Sequence, residues 1–173
     1  MTADERRTYD EWFQRSRALL EAKQWTEALR GVPRLIDLQP AVPLPLHAPL
    51  SQTTVALVTS AGISQDGQPP LDGPNIEGDY TIRELDIDTP AAALKVWHTH
   101  FDTAAAQADI NVVYPIDRLK ELAAEGLIGR VASPGVSFMG YFSNVFRMRD
   151  EVVPAVVAAV QRSGADAAVL VPV

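Results

Sequence analysis

The chain has 173 residues, 47% of them apolar, which is enough for one domain with a sizeable core. Lys and Arg number 15 against 22 Asp and Glu, a formal charge of −7, which argues against nucleic acid or an anionic membrane as partner. There is no cysteine, which excludes a disulfide, a thiolate nucleophile or a cysteine metal site within these residues.

The charged start, Asp4-Glu5-Arg6-Arg7, holds no apolar signal core. No apolar run reaches membrane-spanning length, and a cytoplasmic location fits. Residues 3–30 interleave Tyr9, Trp12, Phe13, Leu19, Leu20, Trp25, Ala28 and Leu29 with charges, the pattern of an amphipathic helix. Thr26-Glu27 restarts it as a second short helix. Such an arm packs on the main body or, with two Trp and a Phe, faces a partner. Five prolines between 32 and 50 rule out a regular helix or central strand there, so an extended connection is expected, with His47 inside it.

Thr53 to Thr59 reads as a buried strand, and Gly62 allows a tight turn at its carboxyl end, where open α/β sheets keep their sites. Gln65 to Gly78 is a loop by its Gly, Pro, Asp and Asn content. Neither Gly-x-Gly-x-x-Gly nor Gly-x-x-x-x-Gly-Lys is present, and the residues imply no cofactor. Gly78 to Leu85 alternates as a strand, with Tyr80, Ile82 and Leu85 inward. Thr89-Pro90 is positioned to start a short helix with Thr89 as cap. Val96 to Phe101 then reads as a strand, and Asp102 as the cap of a helical turn through Gln107.

Tyr114 to Glu125 is a clear helix stopped by Gly126. Val131 to Met139 holds a strand interrupted at Pro134-Gly135. Arg147 to Ser163 is a long helix, regular from near Val152–Val153 because of Pro154, with Val152, Val153, Val156, Val157 and Val160 on its buried side. Ala167 to Val173 closes as a continuous apolar strand. The whole predicts an α/β fold: a three-layer sandwich with a mixed, partly parallel sheet, preceded by the amphipathic helical arm (1–31) and the Pro-rich connection (32–50).

Chemistry concentrates between residues 97 and 118. On a strand, His98, His100 and Asp102 share a face. They, or Asp109 in place of Asp102, offer nitrogen and oxygen donors of the kind zinc or non-haem iron accepts. The competing readings are that the histidines bond backbone groups while Asp102 caps a helix, or that one histidine does acid–base work. Arg83 and Arg118 offer guanidinium forks matched to a substrate carboxylate. Internal ion pairs, Arg118 with Asp117 or Glu121 and Arg83 with Asp79 or Asp102, are the alternative.

Several strings occur in order: Val55-Ala56-Leu57-Val58-Thr59-Ser60-Ala61-Gly62, Gly78-Asp79-Tyr80-Thr81-Ile82-Arg83, His98-Thr99-His100-Phe101-Asp102, Asp109-Ile110-Asn111-Val112-Val113-Tyr114-Pro115-Ile116-Asp117-Arg118-Leu119, Glu125-Gly126-Leu127-Ile128-Gly129 and Phe138-Met139-Gly140. From about Leu50 onward the chain thereby resembles the selenoprotein B family of glycine, sarcosine, betaine and D-proline reductases. The resemblance implies a subunit of a reductase that cleaves C–N bonds in small amines or amino acids, with residues 51–173 as its core. It also implies partner subunits, some with a pyruvoyl group, a thiol- or selenol-dependent electron donor, and a selenocysteine or cysteine nucleophile whose activity depends on its anionic form.

That nucleophile is expected just after the last apolar strand, beyond Val173. No catalytic residue is expected within the chain, which is read as cut at a selenocysteine codon, incomplete at its carboxyl end and inactive in this form. His98, His100, Asp102, Asp109 and Asn111 then line or brace the pocket, and Arg83 and Arg118 bind the substrate carboxylate or serve the scaffold. A homo-oligomer is compatible with this reading. A non-catalytic assembly subunit and a metal-dependent enzyme using His98, His100 and Asp102 are the other two readings.

Overall fold

The structure, a computed structural model, describes residues 3–33 and 44–173. They fall into two compact units divided at Leu44. The first holds helix α1 (Ala3–Glu21) and the short helix α2 (Trp25–Ala28). Tyr9, Trp12, Ser16 and Leu20 are the buried positions of α1. Their spacing of three and four places them on one face. The rings of Tyr9 and Trp12 lie 5.2 Å apart. Pairs such as Arg17 with Glu21 occupy the exposed side. Both helices lie where the apolar spacing predicts them. Most of the expected Pro-rich connection lies outside the described residues; residues 44–50 are exposed and irregular up to a 3-10 turn at Leu50–Gln52.

The second unit is built on β1 (Thr54–Thr59), buried at all six positions. A short antiparallel ribbon of β2 (Ile63–Gln65) and β4 (Leu94–Val96) follows it, with β3 (Ile82–Leu85) between them in sequence. Helices α3 (Ala104–Ala108) and α4 (Ile116–Ala124) lead to β5 (Arg130–Val131) and β6 (Gly135–Phe138). The chain then runs through α5 (Val145–Arg147), a π-helical turn (Met148–Val152) and α6 (Val153–Arg162) into β7 (Ala167–Val171). In the main sheet β1 runs parallel to β7 on one side and to β5 and β6 on the other, while β3 closes the far edge antiparallel to β6.

Alternation along the strands makes two apolar layers. Val55, Leu57 and Leu85 pack with Ile116 and Leu119 of α4 on one face. Val58, Val136, Ile82 and Phe138 pack with Val156, Ala159 and Val160 of α6 on the other. Each fully buried Val or Leu of this kind stabilises the fold by about 1.5–3 kcal/mol. Helices on both faces of a mostly parallel sheet give the three-layer α/β architecture that the sequence predicts.

Four local expectations change. The strand expected over Val96–Phe101 stops at Val96, and residues 97–103 are irregular, because β4 pairs only with the three residues of β2. The loop expected from Gln65 begins only after β2, which uses Ile63 and Ser64 as well. Thr89 is not a helix cap: its hydroxyl bonds Gln65 Oε1, and Pro90 holds the cap position of a 3-10 turn at Ala91–Ala93. The last strand is not buried throughout. Leu170 is 69% exposed, because β7 pairs with β1 on one side and, among the described residues, with no strand on the other. Val153 and Val157 of α6 are exposed for the same reason, since they lie toward that open edge.

Candidate functional site at the carboxyl edge of the sheet

Three parallel strands end together at Ser60. Its N–H donates to Val171 O (3.1 Å), and its carbonyl accepts from Gly140 N–H (2.8 Å). Its hydroxyl accepts from Val173 N–H (2.9 Å). Two residues on, Gly62 donates to Phe138 O and accepts from Trp97 N–H, both at 2.9 Å. Gly62 has φ 66°, and a Cβ there would stand 2.9 Å from Met139 Cε and 3.5 Å from His98 N. A left-handed turn without a side chain is therefore required to bring the histidine loop against the strand ends.

His98 is 6% exposed. Its Nδ1 accepts the His100 backbone N–H at 3.1 Å. Its ring meets Phe101 and His100 edge-on, with centroids 5.0 and 5.6 Å away. Burial, helped by the neighbouring His100, pushes its pKa down to about 4. His100 lies flat on Tyr141, the residue after Gly140, at 3.7 Å and 9°. Tyr141 donates its hydroxyl to Ile76 O. Behind it Tyr80 donates to Glu77 O, accepts from Asn144 N–H and carries the Arg147 guanidinium 3.9 Å over its ring. The wall beside the strand ends is thus aromatic and braced by backbone bonds.

The remaining candidates lie elsewhere. Asp102 accepts from Ala104 N–H from the position before the N-cap of α3, which Thr103 holds without a side-chain bond, so Asp102 is not the cap that the sequence suggests. Asp109, at the other end of that five-residue helix, accepts from the Asn111 backbone and side chain. Asn111 also donates to Asp117 Oδ2 and accepts from Asp117 N–H. The Asn111 bonds hold the Asp109 carboxyl below its usual range. This network borders an open groove of about 490 Å³ that also meets Leu94, Lys95 and Val96. The structure therefore joins His98 to His100, and Asp109 to Asn111, in two separate clusters.

Arg83 donates to Pro69 O, Pro70 O, Ile82 O and the Thr81 hydroxyl, so its fork staples the preceding loop. Arg118 pairs with Glu121 at 2.8 Å on the exposed face of α4. Among the described residues no three His, Asp or Glu side chains gather as a metal-holding group. Nothing in the sequence spacing marks Tyr141 or Ser60 as part of the edge; both are brought in by strand pairing across 80 residues of chain.

Fold and edge together define an α/β protein whose candidate site sits where parallel strands end, as open sheets of this kind arrange it. The family model for glycine/sarcosine/betaine reductase selenoprotein B matches residues 20–172. The chain belongs to that family. It is 31% identical over 131 residues to the D-proline reductase subunit gamma of Acetoanaerobium sticklandii, covering 76% of this chain and 53% of that protein. It is 33% identical over 134 residues to the glycine reductase complex component B subunit gamma of Carboxydothermus hydrogenoformans, covering 74% of this chain and 30% of that one. Against the betaine reductase complex component B subunit beta of Peptoclostridium acidaminophilum it is 38% identical over 90 residues, 47% of this chain and 19% of the relative. The chain thus spans about half or less of the length of these relatives. No solved structure matches. Among the described residues no helix is long and apolar enough to cross a membrane.

Proposed function

We propose that this chain is the sheet-forming part of a cytoplasmic reductase subunit that cleaves C–N bonds in small amines or amino acids. The carrying observation is the convergence of Ser60, Gly140 and Val173 at one edge, with His98, His100 and Tyr141 on the segments leaving it. A nucleophile presented there would be a selenolate or thiolate. It would form a bond to the carbon as the C–N bond breaks, and the amine would leave with a proton. No cysteine stands among the 173 residues, so that atom is placed beyond Val173 or on a partner subunit. His98 and His100 are assigned to the pocket wall, and Asp102, Asp109 and Asn111 brace the elements behind it. Arg83 and Arg118 are assigned to the scaffold on the bonds that they make.

A second reading, an assembly subunit, draws on β7. Its free edge and an apolar groove of about 650 Å³ beside α6, lined by Val153, Val157 and Leu170, suit contact with another reductase subunit. Two measurements separate the readings. The chain is mixed with the remaining reductase subunits and a dithiol donor, and amine release is followed for the wild type and for His100→Ala. Loss of turnover in the variant, with complex formation intact, supports the catalytic reading. Unchanged turnover in a complex that needs this chain for assembly supports the second reading and removes His100 from the site.

A further inference from the structure

His98 is held in one protonation form by a backbone bond. The His100 N–H donates to Nδ1, so that nitrogen carries a lone pair, and the proton of the neutral ring sits on Nε2. The ring is 6% exposed and is packed edge-on against two others. Among the described residues, Nε2 has no acceptor. Nor is it sealed: the unpaired polar atoms cut off from the surface are Trp12 Nε1 and Tyr114 Oη. A donor that solvent still reaches and that no protein acceptor meets is open to an oxygen of a bound molecule.

Such a group selects by type. An imidazole locked with Nε2–H can only donate, so it meets an oxygen acceptor and rejects an ammonium. It stays uncharged, so the bond forms without a change of protonation. The neighbouring surface is flat and aromatic, with His100 stacked on Tyr141. It leaves from the same turn that Gly62 ties to the strand ends.

We infer that His98 is a ligand-binding residue whose Nε2–H donates to a carboxylate or carbonyl oxygen of a small molecule held at the carboxyl edge of the sheet. This rests on placing the site at that edge. It goes further in assigning one atom to one half of the ligand, and in requiring the amine end to lie away from His98.

The test is long-range nitrogen–proton NMR on the 15N-labelled 173-residue chain near pH 7, with acetate and methylammonium as probes. The expected spectrum shows a protonated Nε2 and a bare Nδ1 for His98, unchanged in His100→Ala, which keeps the backbone N–H. Acetate is expected to move the Nε2–H signal saturably, and methylammonium is expected to leave it in place. A His98 ring protonated on Nδ1, or charged, overturns the assignment at its first step. Acetate shifts at His100 and Tyr141 without one at His98 Nε2 leave the edge as a site and overturn the role of His98. No acetate shift anywhere along the edge overturns both. In His98→Asn, where the amide oxygen can still accept from His100 N–H, acetate is expected to lose its effect on Tyr141 by tenfold or more in affinity. Retained affinity in a folded variant overturns the inference as well.

Discussion

His100 lies parallel to Tyr141 with the ring centroids 3.7 Å apart, and this one contact ties the irregular loop after β4 to the exit of β6. The two residues are 41 positions apart in the chain, and the stack fixes the outer wall of the candidate site. Tyr141→Phe keeps the stack and removes the hydroxyl bond to Ile76 O. We expect it to lower stability by about 1 kcal/mol, the usual net value of one hydrogen bond. Tyr141→Ala should lower it by at least about 1 kcal/mol more, because the aromatic pair is lost together with the ring's buried surface. Urea midpoints for the two variants give the difference. The His100 ring signals should shift only in Tyr141→Ala.

Acid should weaken the fold in a window set by His98. Its pKa is near 6.5 in the unfolded chain and about 4 when folded. Between these values the unfolded state takes up a proton that the folded ring refuses, so stability falls as pH drops from 6.5 toward 4. The expected loss is on the order of 1–2 kcal/mol, less than full linkage because the ring edge still meets water. Asp79, whose carboxyl loses some solvation on partial burial but is held below its usual range by bonds from Thr81 and Asp72, contributes in the opposite sense of charge. Its stabilisation is present above the ordinary carboxylate range and is lost only at lower pH. Urea unfolding of wild type and His98→Asn from pH 7 to pH 4 isolates the histidine: the gap between the curves should narrow as pH falls through 6.5 to 4.

Gly135 leaves no room for a side chain beside the Tyr114 hydroxyl. A Cβ on Gly135 would stand 2.0 Å from the Tyr114 hydroxyl oxygen. That hydroxyl is buried without a hydrogen-bond partner among the described residues, and burial pushes its pKa up. Gly135→Ala should cost at least about 3 kcal/mol, at the severe end of overpacking. Tyr114→Phe removes an unpaired polar atom and should be neutral or stabilising by up to about 1 kcal/mol. Because the same atom causes both effects, the double variant should recover part of the Gly135→Ala loss. Thermal melts of the four proteins complete the cycle.

Where the sequence speaks through local periodicity, it is legible. The apolar run Val55–Val58 of β1, the Gly126 stop after α4 and the shift to regular helix at Val153 all follow from short-range rules. The site is less legible because it is assembled by pairing across the sheet. A period-two reading places His98, His100 and Asp102 on one strand face, but β4 ends at Val96 for want of a partner beyond β2. The two histidines meet through a backbone bond in an irregular loop, and Tyr141 joins them from the segment after β6. Arg83 illustrates the same limit. Its guanidinium has the shape to clamp a carboxylate, yet it is spent on the carbonyls of Pro69 and Pro70, which no spacing rule connects to it.

The open edge of β7 gives the last prediction. Ala167 to Val171 carries no charge, no proline and no bulge, the features by which natural edge strands resist pairing. Leu170 is 69% exposed there and Val157 is 47% exposed on the adjacent helix. Leu170→Lys removes little buried contact, so the fold should change in stability by no more than about 0.5 kcal/mol. A charge on the edge should oppose strand-to-strand association, as charged edges do elsewhere. Light scattering across a concentration series should show the wild type gaining mass with concentration, and Leu170→Lys remaining at the mass of a single chain. Equal masses for the two proteins at every concentration would mean that β7 takes no part in self-association.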